Sequence, residues 1–269
     1  MAITTANQWF SASRQKIATV KTTAITTVAA QPFSLFGVAG NPSAGTLAVG
    51  NTTTGVLFTD ATAGCPTITT FGSGNTGYLA QAIYRGSVTG GITLYDRIWG
   101  AGAISTNTLA TTTFSSQPSA TGRMPDAAGA GCEILIEITT AVAAAATTVT
   151  VGYTNSAGTS GRTTSASTTI SGFTVARIIQ MPLQAGDVGV QQIDSVTVGG
   201  TAAATGAFNV ILARRLDDFD VRVQSAVDAH AWDMTGATIV YDTSALWLVS
   251  QADGSSSGVP SLSMTIVNG

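Results

Sequence analysis

The sequence predicts an all-β protein, built as an antiparallel β-sandwich of the jelly-roll kind or as a barrel. Runs of threonine, such as Thr52–Thr54 and Thr111–Thr113, recur along the chain, and side chains branched at Cβ suit a pleated surface. Thirty glycines, together with Pro, Asn and Asp, separate short apolar runs, as is typical of strands joined by turns. Several segments also alternate apolar and polar residues with a period of two.

Residues 1–32 are predicted to form a partly helical N-terminal arm ahead of a core domain over residues 33–269. Both lysines of the chain lie in this arm. Four residues of the arm recur at spacings typical of one stripe of an amphipathic helix. The stripe consists of Phe10, Ile17, Val20 and Ala24. Because the residues that follow are β-branched, we expect the helix to end near residue 21.

The core domain is predicted to contain many strands, and a division into two sub-sheets or subdomains is left open. The clearest alternation lies in residues 147–154 and 261–267, each with one apolar face. These faces are Val149, Val151 and Tyr153 in the first segment, and Leu262, Met264 and Ile266 in the second. Further strand candidates are residues 92–99, 133–139, 170–181, 193–198, 208–216, 237–242 and 245–250. Residues 155–161 and 199–206 are predicted to form a hairpin turn and a loop tip.

The composition predicts a protein whose surface is covered by neighbouring molecules. Only 11 basic and 14 acidic residues occur among 269, whereas charged residues usually make up about a quarter of a globular domain. Since charge repulsion keeps molecules apart, a surface of Thr, Ser, Ala, Gly and Gln favours association. We expect a homo-oligomer, with a trimer as one form. Cys65 and Cys132 are interpreted as buried thiols, with a disulfide as the alternative.

The residues needed for catalysis or metal binding are scarce, so we predict that the chain is not an enzyme and holds no cofactor or metal. His230 is the only histidine, which excludes sites built from two His ligands. A Ser-His-Asp triad lacks its elbow motif, because the string over residues 40–45 has the wrong spacing. Glu133 and Glu137 share a strand face, but at ~3.3 Å per residue they lie roughly 13 Å apart, too far for glycosidase chemistry.

Three motifs have structural interpretations. Residues 72–77 read Gly-Ser-Gly-Asn-Thr-Gly, but the segment that follows is too short for the crossover helix of a dinucleotide site, so a loop is predicted. The sequon Asn51–Thr53 is predicted to form a turn. Three aspartates lie beside three arginines, an arrangement that favours ion pairs over the alternative of a Ca²⁺ site. They are Asp217, Asp218 and Asp220, and Arg214, Arg215 and Arg222.

The arm is predicted to contact a partner protein. The contact residues are Trp9, Phe10, Arg14, Lys16 and Lys21. Aromatic anchors with a few cations suit a protein interface, whereas three cations in an acidic chain are a weak footprint for nucleic acid. A membrane partner is not expected, because no window offers 18 consecutive apolar residues. The N-terminus lacks the basic and apolar regions of a signal peptide, so synthesis in a host cytoplasm is expected.

Five segments carry a resemblance to a known class of protein. They are residues 1–8, 55–64, 94–99, 181–190 and 208–216. In these segments and in its general style the chain resembles virion structural proteins of tailed bacteriophages, of the decoration or head-auxiliary kind. The resemblance implies a β-rich, self-associated protein that is bound in the virion to a symmetric lattice. Its partner would be the major capsid protein or another virion protein, and no catalytic residue or cofactor is implied.

The alternative function is a carbohydrate-binding or adhesive β-sandwich on a tail fibre or cell surface. Such a protein would use exposed aromatic side chains as stacking platforms, and the candidates are Trp99, Trp232 and Trp247. Packing of these side chains in a core or a subunit interface is the favoured interpretation, because their apolar area is large.

Overall fold

A computed structural model describes residues 3–124, 126–165 and 167–269. These residues form eighteen strands, one short α-helix and one 3-10 turn. Every strand pair whose register is defined runs antiparallel. The predicted all-β antiparallel class is therefore confirmed.

The elements follow one another along the chain without a long helix. Their bounds are α1 Ala6–Ser11, β1 Ser13–Lys21, β2 Phe33–Ser34, β3 Gly40–Asn41, β4 Asn51–Leu57, β5 Gly77–Arg85, β6 Gly90–Ser105, β7 Thr111–Thr113, the 3-10 turn Thr121–Arg123, β8 Cys132–Thr140, β9 Thr147–Asn155, β10 Arg162–Thr163, β11 Thr168–Thr169, β12 Ile178–Met181, β13 Val190–Gly200, β14 Ala207–Val221, β15 Val227–Ala231, β16 Thr238–Val240, β17 Leu246–Ala252 and β18 Ser261–Asn268.

The chain divides into two compact units. Unit 1 comprises the chain up to Gly45, Thr59–Tyr95 and Leu216–Gly269, and unit 2 comprises Thr46–Phe58 and Asp96–Arg215. The long strands β6 and β14 contribute residues to both units. The predicted arm boundary at residue 32 is not one of these divisions, and it stays a prediction.

In unit 1 one sheet has the strand order β15-β5-β18-β1-β3, and β16 pairs with β5 beside β15. Strand β17 lies between β2 and β6. The predicted apolar face of β18 is confirmed, since Leu262, Met264 and Ile266 are at most 1% exposed. They pack in one core with Leu79 and Tyr84 of β5.

In unit 2 one sheet has the order β10-β9-β13-β7, with β11 also paired to β9. A second set of strands has the order β12-β8-β14-β6, with β4 paired to β6. The predicted face of Val149, Val151 and Tyr153 is confirmed, because all three are fully buried. They pack in one core with Ile134 and Ile136 of β8. Glu133 and Glu137 share the opposite face of β8, as the alternation of a strand predicts.

The predicted helical stripe in the arm is wrong beyond residue 11. Helix α1 begins with a capping box, in which Thr5 Oγ1 accepts a hydrogen bond from Gln8 N–H and Gln8 Oε1 accepts one from Thr5 N–H. The helix ends at Ser11. Strand β1 then pairs with β18 along almost the whole of its own length. In β1 Ile17 is buried and Val20 is 38% exposed, as strand alternation requires. Hydrogen bonding to a long neighbouring strand overrides the helical spacing.

Most predicted strands and turns are present. Residues 155–161 join the antiparallel pair β9 and β10, which confirms the hairpin turn. The predicted loop tip over residues 199–206 is shorter than expected, because β13 continues to Gly200 and residues 201–206 form the connection to β14. The predicted strand over 170–181 is wrong before Ile178, because the left-handed Gly172 (φ +68°) and Ala176 (φ +66°) turn the chain. Cys65 and Cys132 are buried free thiols, as favoured above.

Candidate functional site

The structure places two of the five predicted contact residues inside unit 1. Trp9 is 8% exposed and packs against Ile3 and Val267, with its ring 6.2 Å from that of Tyr78. Lys21 is 3% exposed, and its ammonium group donates to the carbonyl of Val38 at 3.0 Å. Burial lowers the pKa of Lys21. Neither side chain is accessible to a partner in this conformation.

The other three predicted contact residues are exposed. Phe10 is 73% exposed, and Arg14 and Lys16 lie on the exposed side of β1. The Arg14 guanidinium donates to the carbonyls of Trp9 at 3.0 Å and Phe10 at 3.1 Å. A cation at these carbonyls caps the last turn of α1 and satisfies groups that the helix leaves open. Phe10 and Arg14 are thus brought together as one exposed apolar and cationic surface.

The charge cluster predicted around residues 214–222 forms ion pairs, but most partners are distant in sequence. Arg214 pairs with Asp96 at 3.8 Å and Arg215 with Glu133 at 3.4 Å. Arg222 pairs locally with Asp220. Within residues 3–124, 126–165 and 167–269 no group of three or more His, Cys, Asp and Glu side chains is arranged to hold a metal ion.

A buried charge network that the sequence did not predict joins three strands of unit 2. Arg97 of β6 and Glu137 of β8 are both 0% exposed. Arg97 donates to the two Glu137 oxygens at 3.1 and 2.8 Å. Asn209 of β14 donates to Glu137 Oε2 at 2.9 Å and to the carbonyl of Leu47 at 2.6 Å. The Phe58 ring lies 4.3 Å from the Arg97 guanidinium, a cation–π distance.

Asp96, the residue before Arg97, is the acceptor of a second buried cluster. Its carboxylate is fully buried and pairs with Arg123 and Arg214, which are 6% and 5% exposed. Arg123 also donates to the carbonyl of Phe58 at 2.7 Å. Because successive strand residues point to opposite faces, β6 carries a buried charge on both faces. The signal in the sequence was an Asp-Arg pair inside an apolar run, and a Glu inside another.

These clusters are suited to holding neighbouring strands together. Each of the two buried carboxylates, Asp96 and Glu137, has an arginine partner, and a charge-assisted hydrogen bond between them holds the two segments in place. His230 lies on β15, and its ring stacks on that of Phe219 with 4.9 Å between the ring centroids. Its Nδ1 faces Asp217 at 3.0 Å and its Nε2 faces Asp228 at 3.4 Å. With both ring nitrogens facing carboxylates, neither is directed at a serine nucleophile.

Two of the three candidate glycan-stacking tryptophans lie in cores. Trp99 is 1% exposed and its Nε1–H donates to the carbonyl of Thr54 at 3.3 Å. Trp247 is 2% exposed and donates to Ser34 Oγ at 3.0 Å. Trp232 is partly buried against the core of unit 1. Packing, the favoured interpretation, is confirmed for Trp99 and Trp247.

Asp187 of unit 2 accepts four hydrogen bonds and fastens the β9–β10 hairpin. Its donors are Tyr153 Oη at 2.6 Å, Asn155 Nδ2 at 2.7 Å, and Arg162 Nε and Nη2, both at 3.0 Å. The bonds from Arg162, and after them the bond from Tyr153, lower the pKa of Asp187 to about 2. Hydrogen bonds to the charged form of a carboxylate have this effect.

In the Asp187→Asn variant the free energy of unfolding is expected to fall less in acid than it does in the native chain. A carboxyl whose pKa is lowered by folding stabilises the protein above its ordinary pKa, and that stability is lost as the pH falls toward the folded value. For Asp187 the window runs from about pH 4 down to about pH 2. Denaturant unfolding at pH values across this window measures the effect. An unchanged pH dependence in the variant would contradict this role for Asp187.

The comparisons with known proteins found only remote likenesses. No protein-family model matches the chain, and no curated protein matches it. The VP2 subviral particle of infectious bursal disease virus aligns over 96% of this chain and 80% of its own, at 9% identity and a TM-score of 0.19. T=1 particles derived from the same virus align over 96% and 77%, at 9% identity and a TM-score of 0.19.

An arabinose-bound α-L-arabinofuranosidase aligns over 74% of this chain and 32% of its own, at 14% identity and a TM-score of 0.20. Viral capsid proteins are thus among the weak structural neighbours. At TM-scores this low, neither they nor the hydrolase carries an argument about function. No helix within the described ranges combines the length and hydropathy needed to cross a membrane.

Proposed function

We propose that the chain is a structural component of a virion, which binds the particle lattice and stabilises or decorates the capsid of a tailed bacteriophage. The observation that carries this proposal is the location of the charges. Asp96, Arg97, Arg123, Glu137 and Arg214 are buried in a chain that has only 11 basic and 14 acidic residues. The remaining surface is rich in Thr, Ser, Ala and Gln. Because it carries few charges, electrostatic repulsion between neighbouring copies is weak and like molecules can pack closely.

The partner in this proposal is the major capsid protein or another virion protein, and the chain itself is self-associated. A protein bound many times to one lattice needs only modest affinity at each site, because the lattice multiplies the contacts. Partners that bind only the folded chain also stabilise its fold. The resemblance to decoration and head-auxiliary proteins supports the same assignment, and no enzymatic activity is proposed.

The contact surface in this proposal comprises Phe10, Arg14 and Lys16, the exposed part of the predicted set. An exposed aromatic ring beside an arginine held by hydrogen bonds matches the composition of interface hot spots. Trp9 supports this surface from within unit 1, because its side chain anchors α1 against Ile3 and Val267, whereas Lys21 is bonded to Val38 and takes no part in the surface.

Particle binding tests this proposal. Labelled chain is mixed with particles purified from the lysate of the host cells that produce the chain. The particles are pelleted, and the fraction of label in the pellet measures binding. We expect Phe10→Ser combined with Arg14→Gln and Lys16→Gln to weaken binding at least about tenfold, because a central aromatic anchor is lost. The control is Val175→Ser, which alters a valine that is 43% exposed in unit 2. Absence of the chain from purified particles by quantitative mass spectrometry would remove the proposal.

A further inference from the structure

One edge of the unit 1 sheet is open for pairing. Strand β15 ends the sheet, with β5 on one side and no strand of the described chain on the other. Its sequence, Val-Asp-Ala-His-Ala over residues 227–231, contains no Lys, Arg or Pro, which are among the residues that protect an edge, and Asp228 is its only acidic residue. The opposite edge of the sheet is β3, which is only two residues long. A five-residue strand is long enough to pair.

The direction of the backbone groups in β15 follows from its register on β5. Trp232 N–H donates to the Ala80 carbonyl at 2.9 Å, and the same register places His230 opposite Ala82 and Asp228 opposite Tyr84. Hydrogen-bonded pairs alternate along an antiparallel ladder, so these residues bond to β5. The N–H and C=O groups of Val227, Ala229 and Ala231 therefore point away from β5, toward the open edge.

The side chains around this edge favour a second copy as the occupant. We propose that two chains pair antiparallel through β15 about a two-fold axis that passes at Ala229. Val227 then lies opposite Ala231 of the second copy, and Ala229 lies opposite itself. Three outward-facing residues on each strand supply about six interchain hydrogen bonds. Small alanines leave the approach open, and Val227, which is 52% exposed, would be covered.

The side chains that face each other across the pair select this register. With Ala229 on the axis, Asp228 lies opposite His230 of the second copy in a non-hydrogen-bonded pair, where Cα atoms approach to about 4.5 Å. An imidazole N–H can donate to a carboxylate across the pair, whereas like charges directly opposite each other are destabilising. A shift of the register that centres the axis on Asp228 would place two aspartates against each other. The two-fold pairing makes a dimer, in place of the trimer expected above, and it does not depend on the particle assignment.

Site-directed cross-linking tests both the pairing and its register. In Ala229→Cys the two thiols would lie on the axis, with Cα atoms about 5.5 Å apart, so a short thiol-specific bifunctional reagent should join the chains. Val227→Cys is the matched control, because its two copies would lie roughly 13 Å apart at ~3.3 Å per residue. A mixture of Val227→Cys and Ala231→Cys should cross-link across the pair. Both native thiols are buried and give little background.

Sedimentation of the free chain supplies the second measurement. Ala229→Pro removes an outward N–H, which an edge strand tolerates, and we expect it to raise the dimer dissociation constant at least about 30-fold, since two interchain hydrogen bonds are lost. A chain that stays monomeric at every concentration would overturn the proposal, as would stronger cross-linking at residue 227 than at 229. Either result leaves binding of the chain to particles through Phe10 unaffected, so failure of the β15 pairing and failure of particle binding are distinguishable.

Discussion

Glu137→Gln is expected to lower the free energy of unfolding by about 3–5 kcal/mol, because removal of one partner from a buried ion pair leaves the other charge uncompensated. Glu137 is 0% exposed and binds Arg97 through both carboxylate oxygens. An amide at this position keeps the shape but provides no negative charge for the buried guanidinium. Urea unfolding followed by tryptophan fluorescence measures the loss, and Trp99 lies in the same unit.

The chain offers a matched control on the same strand. Glu133 pairs with Arg215, and the two side chains are 20% and 41% exposed. Glu133→Gln should therefore cost at most about 1 kcal/mol, as is usual for solvent-exposed pairs. The double variant Arg97→Met with Glu137→Leu leaves no buried charge in this pair and should be far closer to the native stability than Glu137→Gln. Equal losses in Glu137→Gln and Glu133→Gln would contradict the importance of the buried pair.

Asp96→Asn is expected to destabilise the chain by at least about 3–5 kcal/mol, since it removes the counter-charge of two buried arginines. Asp96 is fully buried between Arg123 and Arg214. In the variant the two guanidinium groups face each other across a neutral amide, and the repulsion between like charges adds to the cost of burial. Urea unfolding measures the effect directly.

A second substitution tests the cause of this loss. Arg214→Met in the Asp96→Asn background removes one of the two positive charges, and so it should recover part of the stability. Asp194→Asn serves as a control, because the Asp194 side chain accepts bonds from Thr154 and Gln192 and is only partly buried. If Arg214→Met lowers stability further, repulsion between the arginines is not the source of the loss.

The strand faces were predictable because alternation is a local signal. Every second residue of a strand points to the same side, so Val149, Val151 and Tyr153 identify a buried face without knowledge of the partner strands. Trp99 and Trp247 were favoured as packed side chains from their apolar area alone, and both are buried. The hairpin at 155–161 followed from its polar, glycine-bearing composition.

The conformation of residues 13–21 was not predictable from local spacing. Ile17 and Val20 fit a helical stripe, and the alternation of Ile17, Thr19 and Lys21 fits a strand equally well. Pairing with β18, whose residues lie more than 200 positions later, decides the outcome. Pairing also places Lys21 inside the fold, although a lysine in an arm is ordinarily expected at the surface.

By itself the sequence determined the all-β class, the apolar faces of the strands, the scarcity of catalytic side chains and the low charge. These properties depend on composition and on neighbours within a few residues. Only the tertiary structure decided which charges are buried and which edge is open. Arg97 meets Glu137 and Asp96 meets Arg214 across 40 and 118 positions. Partners so distant are set by strand order and register, which arise from hydrogen bonding between segments that carry no local record of one another.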